Sequence, residues 1–281
     1  MPLDPTAVGW ESPPRETSWH HEDCLLYALG VGAGPADLAY VTENSLGVEH
    51  RALPTMAVVL GPFGDEVWQA MGTFSWAMMV HGGQEVVLHR PVPTEGRIVT
   101  IHRLAGMWDK GKAAVVEIES NAVDAGSGAA MFTLRTSLFI RGEGGWGGDR
   151  GPSADNPIPD RAPDHELRDR TQPNQALIYR LSGDRNPLHS DPEFAKLAGF
   201  PTPILHGLCT YGFTGRALLH TLCGSDPARF KSMEARFSKP VFPGDTLTVK
   251  MWVDGGTAVF RTETQRGEVV IDAGRCAFSP A

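Results

Sequence analysis

Phe237-Ser238-Lys239-Pro240-Val241-Phe242-Pro243, in the second half of the chain, repeats in kind and order Leu88-His89-Arg90-Pro91-Val92-Pro93 in the first. The two lie 149 positions apart (240 − 91). A second pair, Leu26-Tyr27-Ala28-Leu29-Gly30-Val31-Gly32 and Ile178-Tyr179-Arg180-Leu181-Ser182-Gly183-Asp184, lies 152 apart (179 − 27). Chance supplies one such match easily, two in register less so, and the chain reads as a duplication.

The segments after each Pro-Val element are also of one kind. Arg97 to Leu104, Ala113 to Ser120 and Met131 to Ile140 alternate as strands, as do Thr246 to Val253, Thr257 to Thr264 and Glu268 to Phe278. Asp254-Gly255-Gly256 marks a hairpin turn. Ahead of these strands each half carries an apolar segment of helical length, roughly Met56 to Val80 with interruptions and Leu205 to Leu222. A long apolar helix must bury its stripe, and the concave face of a curled antiparallel sheet is the economical place. The expectation is an α+β architecture of two tandem helix-wrapped antiparallel sheets. Between them the composition shifts to Gly and Pro, so the chain divides into residues 1–140, a crossing over 141–174, and residues 175–281.

Composition narrows the function. At 281 residues, 41% hydrophobic and 21% charged, the chain can bury a real core. A net charge of −8 argues against a broad grip on nucleic acid or an anionic membrane. The start has no secretory pattern and no apolar run approaches the ~18 residues of a membrane span, so a protein outside the membrane is expected. Cys24, Cys209, Cys223 and Cys276 are too dispersed for a zinc or redox pair and suit a reducing cytoplasm. No histidine stands in a His-Glu-x-x-His pattern, so no metal is expected. Gly30-Val31-Gly32-Ala33-Gly34 lacks the strand–turn–helix frame of a dinucleotide site and is followed by Pro35.

The densest chemistry lies in Tyr179-Arg180-Leu181-Ser182-Gly183-Asp184-Arg185-Asn186-Pro187-Leu188-His189-Ser190-Asp191-Pro192. Asn186-Pro187 initiates a turn, and Asp191-Pro192 starts a short helix, Pro192 to Ala198, that stops at Gly199. Asp184 and His189 therefore flank a rigid turn where both can touch one small molecule such as water. In Phe200-Pro201-Thr202-Pro203-Ile204-Leu205-His206-Gly207 the prolines delay the next helix until Leu205 to Gly207. Its first-turn amides have no intrahelical partner, which makes the Gly207 N–H a candidate donor to a developing oxyanion. His206 reads as structural.

Tyr179, Ser182-Gly183-Asp184, Asn186-Pro187-Leu188-His189 and His206-Gly207 together resemble the signature of the (R)-specific enoyl-CoA hydratases, the hydratase 2 or MaoC-like dehydratase family with hot-dog folds. The resemblance extends over nearly the whole chain, through Leu53-Pro54-Thr55 and His81-Gly82 in the first half. It implies a double hot-dog fold and syn addition of water across a trans-2-enoyl-CoA to give a (3R)-3-hydroxyacyl-CoA, or the reverse. It further implies that Asp184 and His189 hold the water, Gly207 binds the thioester oxygen and Asn186 shapes the turn. CoA is expected at His81, Gly82 and Lys110 and at Arg236, Phe237, Lys239 and Gly244. No cofactor is implied, and the chain is expected to be a homodimer with acyl-CoA as its small-molecule partner.

Aligning Tyr27 with Tyr179 places Gly32 opposite Asp184 and Asp37 opposite His189, so one active site per chain is expected. The degenerate half is expected to make room for a medium, long or bulky acyl tail, with Met56, Ala57, Val58, Val59, Leu60, Met71, Phe74, Trp76, Met78 and Met79 as lining or packing. Two alternatives stand beside the hydratase: a hot-dog thioesterase attacking C1, and a non-catalytic acyl-CoA-binding subunit.

Overall fold

The computed structural model describes residues 3–152 and 156–280. In the first half, β1 (Arg15–Trp19) leads into α1 (His21–Gly30), followed by the short helices α2 (Leu38–Val41), α3 (Ala57–Leu60) and α4 (Asp65–Met71). Strands β2 (Met79–Leu88), β3 (Gly96–Asp109), β4 (Ala113–Asp124) and β5 (Ala130–Arg141) complete that half. The second has β6 (His165–Arg170), α5 (Gln175–Tyr179), α6 (Pro192–Leu197), α7 (Gly207–Cys223) and then β7 (Phe230–Phe237), β8 (Thr246–Asp254), β9 (Thr257–Thr264) and β10 (Val269–Phe278). Among the described residues no helix is long and apolar enough to cross a membrane.

The ten strands form one antiparallel sheet in the order β1-β3-β4-β5-β2-β7-β10-β9-β8-β6. The order is palindromic under the repeat, because β1 to β5 correspond to β6 to β10. The halves meet along β2 and β7, with Gly83 opposite Arg236, Glu85 opposite Glu234 and Val87 opposite Ser232. Glu85 and Glu234 are 149 apart (234 − 85), the offset of the Pro-Val match, so the pseudo-two-fold passes between them. Two facing carboxylates would repel. Here Arg135 pairs with Glu85 at 2.8 Å and the Asn156 amide donates to Glu234 at 3.0 Å.

The halves differ in what fills their concave faces. In the second, α7 is buried around nearly its whole circumference from Cys209 to Leu219. It comes so close to the first half that a Cβ on Gly212 would sit 2.3 Å from Val31, and one on Gly215 2.4 Å from Thr55. Gly224, with φ +59°, ends it in the left-handed conformation that the helix C-terminus favours.

The first half does not build the counterpart. Its Met56–Val80 segment, expected to be of helical length with interruptions, yields the four-residue α3, the seven-residue α4, a 3₁₀ turn at Trp76–Met78 and a last stretch, Met79 onward, that is strand. Gly61-Pro62-Phe63-Gly64 interrupts it, since Pro62 has no amide to donate and disfavours helical geometry at Gly61. Gly72 at φ +102° ends α4. The space a long helix would occupy is left as a hollow.

The crossing is also shorter than 141–174. His165–Arg170 is β6, hydrogen-bonded along β8 from His165–Met251 to Arg170–Thr246 as the outer strand at the second-half end of the sheet. Its polar, exposed sequence hides it from a hydrophobic pattern, as expected for an edge strand. Residues 153–155 of the crossing lie outside those described.

Candidate active site

A cavity of about 650 Å³ runs from the start of α7 into the hollow of the first half. Its second-half wall holds Tyr179, Ser182, Gly183, Asp184, Asn186, His189, His206 and Gly207, and its first-half wall Val58, Val59, Phe63, Trp68, Trp76 and Met79.

Local folding puts Asp184 and His189 on that wall as a pair. Asp184 Oδ1 accepts the Asn186 N–H at 3.0 Å, and Asn186 Oδ1 accepts the Leu188 N–H at 3.0 Å, closing a tight turn into the single 3₁₀ turn Pro187–His189. Asp191 caps α6 through the N–H groups of Glu193 and Phe194. His189 Nε2 then stands 3.9 Å from Asp184 Oδ2, with the histidine buried and the carboxylate half exposed.

The tautomer of His189 follows from its other contact. Nδ1 lies 2.9 Å from the Ile204 carbonyl oxygen, which can only accept, so Nδ1 carries the proton. In the neutral ring Nε2 is then a lone pair facing Asp184. Burial holds the imidazole below its ordinary value against the opposing pull of Ile204 and Asp184, which favours this neutral form. A water about 2.8 Å from both Nε2 and Oδ2 would subtend about 90° at its oxygen, close to its own bond angle. The pair is spaced to accept both hydrogens of one water.

Gly207 opens α7 with His206 as N-cap. The helix's first main-chain donations to His206 come from Cys209 and Thr210, which leaves the Gly207 N–H directed outward with the positive end of the helix dipole. Its φ is not left-handed, so the backbone does not require glycine. A Cβ there would instead rest 3.4 Å from the Phe237 ring, in the slot between amide and aromatic. Phe237 in turn meets His81 of β2 edge-on, with centroids 5.0 Å apart, so both halves border the slot.

Asp184, His189 and His206 bring ligand-type atoms within 4.8 Å of one another. The two imidazoles lie nearly parallel, however, 27° apart with centroids at 3.7 Å. Stacked rings direct their in-plane lone pairs along parallel planes rather than at one point, and each ring commits an N–H to a main-chain carbonyl. The cluster is built for hydrogen bonding rather than chelation.

Of the residues expected to hold CoA, His81, Phe237 and Lys239 line the cavity; Gly82, Lys110, Arg236 and Gly244 do not. Lys110 follows the end of β3 and donates to the Arg150 carbonyl, tying down the Gly-rich crossing. Strand alternation puts Arg236 on the exposed sheet face opposite Phe237. Gly244 donates to Thr171 Oγ1 and anchors the chain entering β8, while Gly82 sits in a bulge with Ser137 across from it. Met56, Ala57, Leu60 and Met71 are packed in the core rather than along the hollow. Arg141, Gln84 and Thr136 also line the cavity. No motif marks them; strand pairing alone brings them there.

Known proteins match both halves of the chain. The MFE-2 hydratase 2 N-terminal domain matches residues 18–142 and the MaoC like domain residues 155–274. The 3-hydroxyacyl-thioester dehydratase Y of Mycobacterium tuberculosis (strain ATCC 25618 / H37Rv) is 48% identical, over 99% of both chains. The chain belongs to the MaoC-like, hydratase 2 family. Another member, the peroxisomal enoyl-CoA hydratase 2 of Arabidopsis thaliana, is 40% identical over 93% of this chain and 91% of its own. The crystal structure of a MaoC-like dehydratase from Phytophthora capsici superposes with a TM-score of 0.90 at 36% identity, covering 100% of this chain and 98% of that one. The fold of this family member is the α+β double hot-dog.

Proposed function

We propose that this hydratase 2 family member adds water, syn, across a trans-2-enoyl-CoA to give the (3R)-3-hydroxyacyl-CoA, and runs the reverse dehydration. The observation that carries the reading is the Asp184–His189 pair, 3.9 Å apart on the cavity wall that also presents the unpartnered end of α7. The thioester oxygen accepts from the Gly207 N–H, which draws electrons from C3 and stabilises the enolate-like charge as it forms. Water held by Asp184 and His189 delivers its oxygen to C3 and loses a proton to the pair. The pair returns a proton to the same face of C2, so hydrogen and hydroxyl add from one side and the dyad ends in its starting state. The proton is taken up and returned by the two side chains acting together. This chemistry needs no metal or organic cofactor.

His81, Phe237 and Lys239 take the CoA side of the substrate, Lys239 lending positive charge to the phosphates. The acyl tail enters the hollow of the first half, favouring medium, long or bulky chains such as fatty acyl or sterol side-chain thioesters. The four unpaired, buried cysteines suit a reducing cytoplasm, where the chain would work as a homodimer.

The test is loss of the enoyl-thioester absorbance with crotonyl-CoA and a longer enoyl-CoA, repeated with Asp184→Asn and His189→Ala. Each variant should lose about 10²–10⁴-fold in kcat. Full activity in either would refute the mechanism. Release of free CoA thiol would instead indicate a thioesterase, and a (3S) product would overturn the facial assignment.

A further inference from the structure

The histidine that caps α7 makes contacts its capping position does not require. His206 is 2% exposed, yet its side chain does not cap the helix. Its Nε2 lies 3.2 Å from the main-chain carbonyl oxygen of Asp184, so this nitrogen carries the proton and donates. Its ring covers one face of His189 at 3.7 Å between centroids. One side chain thus touches both members of the dyad, one through its backbone and the other through its ring, from the residue just before Gly207.

We propose that His206 is a positioning residue that clamps the Asp184 turn and holds His189 in its neutral, water-accepting form. The clamp matters because Asp184 is half exposed and its own contacts are local: among the described residues its side chain accepts a hydrogen bond from the Asn186 N–H alone, two residues on. The His206 N–H joins the turn's backbone to the first residue of the α7 end, so carboxylate and oxyanion donor keep one spacing. The stack matters because charge on one of two imidazoles in face contact disfavours charge on the other. The groups facing His206 are His189, Asp184, Arg180 and Tyr179; burial, His189 and Arg180 disfavour its protonation, while Asp184 favours it. A neutral His206 in turn leaves His189 without solvent on that face.

The proposal rests on the hydratase reading, so wild-type turnover of crotonyl-CoA tests that reading first, and His206 variants are scored as ratios to it with Asp184→Asn as the floor. Two substitutions separate the two contacts. His206→Phe keeps a flat ring over His189 but cannot donate to Asp184. His206→Gln carries an N–H the same number of bonds from the backbone but removes the ring.

His206→Phe should lower kcat about 100-fold with KM within about twofold, the cost of a misplaced catalytic group, and leave the acid limb of kcat/KM where it is. His206→Gln should recover kcat to within about tenfold of wild type and move the acid limb to higher pH, because His189 regains solvent and takes a proton more readily. Wild-type kcat in the Phe variant would overturn the clamp. Equal losses in both variants with unshifted pH profiles would reduce His206 to packing and overturn the proposal. If the Phe variant does not fold, the pH profile of the Gln variant alone decides: an unmoved acid limb refutes it.

Discussion

Replacing Val59 with Trp should shorten the acyl chain the enzyme accepts without touching the reaction centre. Val59 is half-buried on α3, on the wall of the first-half hollow, while Asp184, His189 and Gly207 belong to the other half. Burying one methylene is worth ~0.8 kcal/mol, about fourfold in kcat/KM if it is realised in the transition state. Crotonyl-CoA and trans-2-octenoyl-CoA differ by four methylenes, so the wild type should favour the longer substrate by about 3 kcal/mol, roughly 200-fold. An indole in the hollow should remove most of that preference and leave crotonyl-CoA within about twofold. Initial rates of enoyl-thioester loss over a series from four to ten carbons give the slope directly, with a melting curve to confirm that the larger side chain is tolerated. An unchanged slope would refute the hollow as the tail site. So would an equal fall at every chain length, which would show damage reaching the dyad.

Other consequences arise from single contacts. Gly207→Ala should leave the melting temperature nearly unchanged, because its Cβ meets Phe237 at ordinary contact distance, while kcat/KM falls at least about tenfold as the methyl narrows the thioester slot. His81, His189 and His206 are all held below their ordinary values, His81 at about 4, so the unfolded chain takes up protons first as pH falls below about 6.5. Stability should therefore be complete above pH 6.5 and decline toward pH 4, which chemical denaturation at a series of pH values would show as a falling midpoint; a flat profile would be inconsistent. Arg216→Leu should cost about 3–5 kcal/mol in denaturant unfolding, because it strips a buried guanidinium from Asp37 at 3.2 Å and from Asp169. Gly32→Asp should destabilise the fold and add no second site, since Gly32 has φ +80° and a Cβ there would lie 2.3 Å from the Phe213 ring.

That last contact shows what the first half now does with the two positions that carry the dyad in its repeat. Gly32 stands where the repeat has Asp184, and Phe213 of α7 occupies the place of its missing side chain. Asp37 stands where the repeat has His189, and its carboxylate now pairs with Arg216 and His220 of α7. From the sequence both positions read simply as departures from a pattern. Their present use is visible only because α7 crosses from the active centre to this vestigial one.

Much of the site was legible because it is local. Asp184, Asn186 and His189 lie within one turn whose Asn-Pro and Asp-Pro signals dictate its shape, and the prolines before His206 dictate where α7 begins. Which of the residues expected at CoA line the cavity was legible only in part. Lys110 and Arg236 have the right charge, but the Gly-rich crossing claims one and strand alternation turns the other away, and charge alone reports neither. Edge strand β6 escaped a hydrophobic reading because an outer strand buries little. The hollow in the first half escaped it as well: Gly61-Pro62 announces a broken helix, but an interruption in a segment does not reveal the space it leaves.

By itself, then, the sequence determined the duplication, the α+β class and the juxtaposition of Asp184 with His189, because short-range turn chemistry and a 149-residue offset are properties of the chain. Tertiary structure alone decided the tautomer of His189, the stacking of His206 on it and the cavity shared by the two halves. These depend on where carbonyls, rings and helix ends from distant segments meet, which no spacing along the chain encodes.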